Sequence, residues 1–193
     1  MATNKGRIRV AQTARVHLAP IGTPAPVDAL VALAAAWKDV GLFTPDSLQF
    51  STDPSFEMVR SHQSNYPTRT FQTEDSGSLQ VDLQEWSTVN LRAVFGGGEV
   101  TTIAGTTPPQ YRFAPPQIGG RDQVSAIVEI IDGEIVYRQV LPATEQNEGV
   151  EISHNKTAES TLPLRLTIIG SDIGDPFYYL TNDPAMAPLD DDD

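Results

Sequence analysis

The sequence contains no cysteine, which excludes a thiol nucleophile, a thiolate metal site and any disulfide, and leaves the redox compartment open. Histidine is scarce: His17, His62 and His154 lie far apart, without carboxylates at ligand spacing. A metal site needs several such groups converging, so surface or structural roles are expected for all three and no metal or other cofactor is implied. No apolar run approaches the roughly 20 residues of a membrane-spanning helix. The basic stretch Met1-Ala2-Thr3-Asn4-Lys5-Gly6-Arg7 is not followed by an apolar secretory segment. The expectation is a protein made and kept in a cytoplasm, or released by another route.

Positive charge is also in short supply. Thirteen Lys and Arg face 25 Asp and Glu, for a net charge of −12, and residues 190–193 are all aspartate. Such a surface repels nucleic acid and anionic lipid, because tight phosphate binding depends on Lys and Arg displacing counterions. Catalytic motifs are missing as well. No Gly-x-Ser-x-Gly elbow occurs. Gly96-Gly97-Gly98 lacks the Gly-Lys-Ser/Thr of a phosphate loop, and Glu99 would repel phosphate. Asn155-Lys156-Thr157 matches a glycosylation acceptor, a pattern short enough to arise by chance. Nothing in the sequence supports an enzyme.

What the chain does have is punctuation: 15 prolines and 14 glycines, fitting many turns between short strands. Residues 1–26 read as an extended arm: Ile8 to Val16 could alternate as a strand, but Ala19-Pro20-Ile21-Gly22-Thr23-Pro24-Ala25-Pro26 is too proline-rich for a central one. The alanine-rich residues 27–40 read as a helical turn or short helix ending at Gly41, and residues 43–48 as a turn. Strands are expected over 49–52, 56–63, 66–74 and 78–84, with Asp75-Ser76-Gly77 joining the last two as a hairpin. Leu79, Val81 and Leu83 alternate, so they face a core and their neighbours face outward.

At Trp86 the apolar period changes from two to about 3.6. Ser87 is placed as N-cap and Gly96 as left-handed C-cap of a helix anchored by Trp86, Leu91 and Phe95, with a strand following. Residues 103–118 are loop-rich around Tyr111-Arg112-Phe113. Asp132-Gly133 between two β-branched runs is a type I′ hairpin signature. Residues 162–169 alternate as a last core strand, and residues 171–193 form a C-terminal arm with a disordered acidic tail. About seven strands and one helix that does not alternate with them give a mainly β fold. It is an antiparallel β-sandwich or barrel with one packed helix, its body over residues 27–170.

Tyr66-Pro67-Thr68-Arg69-Thr70, then Leu83-Gln84-Glu85-Trp86 and Asn90-Leu91-Arg92, then Phe95-Gly96-Gly97-Gly98-Glu99, resemble the major tail tube proteins of long, flexible-tailed phages, most of all those infecting actinobacteria. Residues 16–26 and the Trp37-Lys38-Asp39-Val40-Gly41 segment agree in order and spacing, and the likeness covers roughly residues 8–170. It implies a structural virion protein of the phage tail. A sandwich with one helix would assemble into homo-hexameric rings whose sheets join as an inner barrel, and the rings would stack into a tube. The tube would hold the tape-measure protein during assembly and meet the tail terminator and distal tail proteins at its ends. DNA would pass through it without specific binding.

On this reading the outward residues Thr70, Gln72, Glu74, Ser78, Gln80 and Asp82 line the lumen, with Glu129 and Glu134 as further candidates. Arg7, Arg9, Arg15, Phe177, Tyr178 and Tyr179 are the candidates for arm contacts between rings. The alternative is a β-sandwich capsid-decoration or adhesin-type binding module, which shares the fold class but does not account for the long arms.

Overall fold

The computed structural model describes residues 5–170 and 174–188; the acidic run at 190–193 lies outside them. The chain forms β1 (Thr13–Pro20), β2 (Lys38–Asp39), β3 (Gln49–Thr52), β4 (Ser55–Arg60), β5 (Pro67–Glu74), β6 (Gly77–Leu83), α1 (Thr88–Phe95), β7 (Glu99–Ile103), β8 (Gln110–Ala114), β9 (Gln123–Asp132), β10 (Ile135–Glu145), β11 (Leu162–Ile168) and β12 (Tyr178–Thr181). One antiparallel sheet runs β2-β1-β9-β10-β11-β6-β3, with β12 beside β10. The pairs β4–β5 and β7–β8 stand apart as two-stranded sheets. The fold is thus mainly β and antiparallel with one α-helix, as the patterning implies, though with more strands than expected.

Leucine and valine at every second position decide the layering. Leu79, Val81 and Leu83 of β6 lie opposite Leu166, Leu164 and Leu162 of β11, and all six are essentially inaccessible. They share one core with Val16 and Leu18 of β1, Ala126 and Val128 of β9, Leu141 of β10, and Ala93 and Val94 of α1. Strands at both ends of the sheet therefore meet in one interior, so the sheet doubles over into a sandwich. Strand β10 makes the crossing. It pairs with β12 over residues 137–140 and with β11 at 144–145, and its register with β9 slips between Leu141 and Thr144. Pro142, which has no N–H for a ladder, occupies that bulge; Ser125 Oγ donates to its carbonyl (2.6 Å).

The opposite face of β1, β9 and β10 carries a second, smaller core. Trp37 packs with Ala19, Ile127 and Val140 there, and Leu33, Tyr178 and Leu180 close it. Trp37 Nε1 donates to the Pro24 carbonyl at 3.2 Å, tying the proline-rich segment to the side chain that packs on the sheet.

The helix ends where the sequence says. Ser87 accepts from the Asn90 amide, and Gly96 takes a left-handed conformation with φ 69°. Gly98 is needed for a different reason, since a Cβ there would lie 2.4 Å from the Ala114 carbonyl oxygen of β8. The glycine triplet is a helix stop and a close approach of two backbones.

Several expectations are corrected. Residues 13–20 are not arm but an inner strand between β2 and β9; Pro20 is its last residue, where a missing N–H does little harm. Residues 27–40 form bends and turns that lead into β2, and no helix. Asp28 Oδ1 accepts from the amides of Leu30 and Val31, each at 2.7 Å, so the side chain competes with helical bonding while Trp37 anchors the segment on the sheet. Strand β5 does not pair with β6. It pairs with β4, because β6 has an apolar face to bury against β11 and β5 has none. The second hairpin forms, but Asp132 pairs with Ile135, so the turn is Gly133-Glu134. Only Gly133 has positive φ, the pattern of a glycine-first II′ turn and not the I′ turn expected. Part of the expected C-terminal arm, residues 178–181, is strand β12.

Trp86 is the largest correction. It is 49% exposed, stacks on His154 with ring centroids 5.9 Å apart, and donates from Nε1 to the Ser160 carbonyl at 2.9 Å. The helix is seated by Ala93, Val94 and the fully buried Asn90, whose Nδ2 donates to the carbonyls of Val40 (2.8 Å) and Glu85 (2.9 Å). Leu91 and Phe95 are half-buried at its flank, and Phe95 meets Phe113 at 5.4 Å.

Burial then ranks substitutions. Leu164→Ala is expected to cost about 2–5 kcal/mol, the range for a fully buried leucine. Trp86→Ala is expected to cost about 1 kcal/mol, as its ring is already half in water. Urea midpoints of the two variants check this, and a larger loss at Trp86 than at Leu164 contradicts the packing described.

Candidate assembly surfaces

The β4–β5 hairpin is the least self-sufficient part of the molecule. Every residue of both strands is exposed. Phe56, Met58, Val59 and Phe71 are each 43–56% accessible, and Tyr66 near its tip is 80% accessible. Phe56 lies opposite Gln72 and Met58 opposite Thr70, so these four share one face, while Val59 and Phe71 occupy the other. An isolated two-stranded hairpin is marginal in water, and among the described residues neither strand pairs with anything else. Apolar side chains on both faces and two open edges leave exposed the kind of surface that protein–protein contacts cover.

The residues read as one outward row fall on two sheets. Thr70, Gln72 and Glu74 belong to this hairpin. Ser78, Gln80 and Asp82 belong to β6 in the main sheet, where they alternate with the buried leucines and face away from the core. There they form a polar face with β3 and β11. Ser78 Oγ is 2.9 Å from Ser51 Oγ, Gln80 lies opposite Gln49 and Arg165, and Asp82 accepts from Arg165 Nη2 at 2.8 Å.

Glu129 is not a surface carboxylate. It is 7% exposed and accepts from Arg138 Nε at 2.8 Å. Arg138 Nη1 also donates to the carbonyls of Asp28 (3.0 Å) and Val31 (2.7 Å), so a buried ion pair pins residues 28–31 onto the sheet. Strand β9 is covered on both faces, which an alternation argument for one face does not reveal. His17 shares this covered face, and burial lowers its pKa against the opposing pull of Asp39 and Glu129. Glu134 is exposed in its turn.

Most of the arm candidates are used within the subunit. Arg9 donates from Nε to Asp183 Oδ2 at 2.7 Å, with Nη2 at 2.5 Å from the same oxygen, and the Tyr137 hydroxyl donates to that carboxylate too. Asn182 Oδ1 accepts from the Val136 amide and its Nδ2 donates to the Glu134 carbonyl, both at 2.8 Å. Tyr178 and Tyr179 pair with Val140 and Gln139 in β12–β10. Phe177 packs edge-on against Phe50 at 5.0 Å. Arg7 and Arg15 are exposed, Arg15 on β1 opposite Glu129. Both ends of the described chain are therefore clasped to the β9–β10 hairpin. The sequence patterning does not single out Arg138 or Asp183; the signal for the first is a charged residue placed mid-strand between Val136 and Val140.

The Tyr137 hydroxyl, then the Ala185 amide and the Arg9 guanidinium, hold the Asp183 carboxyl down at about 2, from an ordinary 3.8. A depressed carboxylate stabilises the fold above its unfolded pKa and loses that contribution as pH falls through the folded one. Asp183→Asn should therefore lower the melting temperature most above about pH 4, with the gap to the parent closing towards pH 2. A gap that stays constant across that window contradicts the clasp.

No group of three or more His, Cys, Asp or Glu that could hold a metal ion occurs among the described residues, and no described helix is long and apolar enough to cross a membrane. A search of curated proteins found no match. A family model described as phage tail tube protein matches residues 1–189. The exposed hairpin and the polar sheet face agree with that match, and the chain belongs to the phage tail tube protein family, a structural and non-enzymatic component of the virion tail.

Proposed function

We propose that six copies close into a ring, that rings stack into the tube of a long, flexible tail, and that this tube conducts the genome into the host. The carrying observation is the β4–β5 hairpin, whose two open edges and exposed Phe56, Met58 and Phe71 need a neighbouring chain. Ring closure supplies one at every junction and leaves no free edge. The polar face bearing Ser78, Gln80 and Asp82 is the wall we assign to the lumen; Thr70 and Gln72, which share their face with Phe56 and Met58, go with the hairpin to the junction between copies.

A wall whose arginine, Arg165, is neutralised by Asp82 fits passage without adhesion, since DNA binding needs free cations against phosphates. The tape-measure protein occupies the same channel before DNA does, and terminator and distal tail proteins cap its ends. The actinophage-like motifs around residues 66–70 and 83–99 favour the flexible-tailed type. A decoration module would have to leave the hairpin edges uncovered.

The hairpin can be removed without tearing the core. The Asp53 amide donates to the Ser76 carbonyl at 2.8 Å, so the chain ends at its base already touch. Replacing residues 55–74 by a short Gly-Ser linker should leave a folded subunit that forms no rings or tubes under negative stain, while the full chain forms hollow six-fold tubes at high concentration. Normal tubes from the shortened chain would overturn the hairpin's role, and a full chain that remains monomeric at all concentrations would overturn the tube.

A further inference from the structure

A groove of about 920 Å³ opens between α1 and the far end of β1. Its floor is apolar, with Leu18, Ile21, Val89 and Val124 among its lining. Its rim is basic in a protein of net charge −12: Lys38, Arg92 and Arg121 all line it, with Asp122 the one carboxylate among the lining residues. Arg92 meets Asp122 at 3.3 Å in a pair whose side chains are both 53% exposed, which contributes little. Arg121 donates to the Gln146 carbonyl and keeps its positive charge unpaired among the described residues. Lys38 is exposed and forms no ion pair among them. The rim thus holds three cations against one anion, so it suits an acidic segment that also carries an apolar side chain.

The sequence contains one such segment in residues 189–193, a leucine followed by four aspartates. We propose that the groove receives residues 189–193 of a second copy of this chain, Leu189 against the apolar floor and the aspartates against Lys38, Arg92 and Arg121. This rests on the tube reading above and names one contact within it. The topology makes the donor a different copy. Asp183 and Asn182 are fixed beside Tyr137 and Val136, at the turn end of β10, whereas the groove is bordered by Gln123 and Gln146, at the other end of the same hairpin.

Along β10 that separation is about 30 Å, at roughly 3.3 Å per residue. From Asp183 the chain coils through the 3-10 turn Pro184–Met186 before reaching residue 189. Residues 184–193 would span about 30 Å only by running straight back along their own sheet, and then only the last aspartate would arrive. A subunit with its acidic segment at one end and its basic groove at the other makes a heterologous, head-to-tail contact, which repeats along an axis without closing. That is the contact stacked rings require.

The test is zero-length carbodiimide coupling, which joins a carboxylate to an amine in direct salt-bridge contact, on tubes assembled from equal amounts of unlabelled and 15N-labelled full chain. Lys38 is one of only three lysines, so its cross-links are easily assigned by mass spectrometry. The expected result is a peptide joining Lys38 to residues 190–193, with mixed light–heavy pairs present, and its loss on changing the four aspartates to asparagine. Tubes in which Lys38 never joins that segment, or joins it only within one chain, overturn the proposal while leaving the tube reading intact. A chain that stays monomeric overturns both. As a second measurement, Arg92→Glu with Arg121→Glu should abolish stacking, and lysines at 190–193 in the same chain should restore it; failure of the swap in a folded double variant counts against the groove.

Discussion

The contact on which the remaining structure depends is the meeting of the β6–β11 leucine rows with Val16, Leu18, Ala126 and Val128 of β1 and β9. Six Leu and Val side chains in cross-strand register make one face wholly apolar, and taking it out of water, at about 25 cal/mol per Å², favours covering it with β1 and β9. For the two ends of one sheet to share that interior, the sheet must turn back on itself. The Pro142 bulge in β10 gives it the freedom to do so. Helix α1, too short to persist alone, is stable because Ala93 and Val94 add to the same core.

Around that core the polar interactions divide by reach. The buried Glu129–Arg138 pair holds residues 28–31 over the sheet beside the second core. A buried pair is not a source of large net stability, because desolvation consumes most of the Coulomb attraction; what it specifies is where that segment lies. The Arg9–Asp183–Tyr137 cluster brings the two ends of the described chain together at the β9–β10 turn. Two features of the described residues face outward without a partner: the hairpin edges at β4–β5 and a basic-rimmed groove by α1. A monomer with a complete interior and incomplete edges is the form expected of a building block, and the family to which the chain belongs builds tubes.

How much of this the sequence disclosed follows from how local each cause is. The caps at Ser87 and Gly96 and the alternation of β6 and β11 depend on near neighbours, and they stand as read. Strand β1 was hidden because Pro20 and the prolines after it signal an exposed arm, while its place between β2 and β9 is a long-range outcome. Alanine over residues 27–40 favours a helix in isolation, yet the Asp28 turn and the seating of Trp37 outweigh that propensity. Of the two tryptophans, the one inside an apolar helical period lies half in water and the one in an irregular segment is buried; periodicity says which way a side chain points along its element, not what will cover it. The pairing of β5 is hard to read for a related reason, since a strand whose one face is polar and whose other carries Arg69 beside Phe71 has no preferred partner within its own subunit.

The central claim is that the subunit's core is complete before assembly and that its hairpin edges are completed only by it. Amide hydrogen exchange, compared between dilute soluble subunits and assembled tubes, tests this most directly. The account predicts that β6, β9 and β11 are equally protected in both states, while the outward amides of β4 and β5 exchange fast in the subunit and become protected in the tube. Hairpin amides already protected in the dilute subunit, or still fast in the tube, would contradict it.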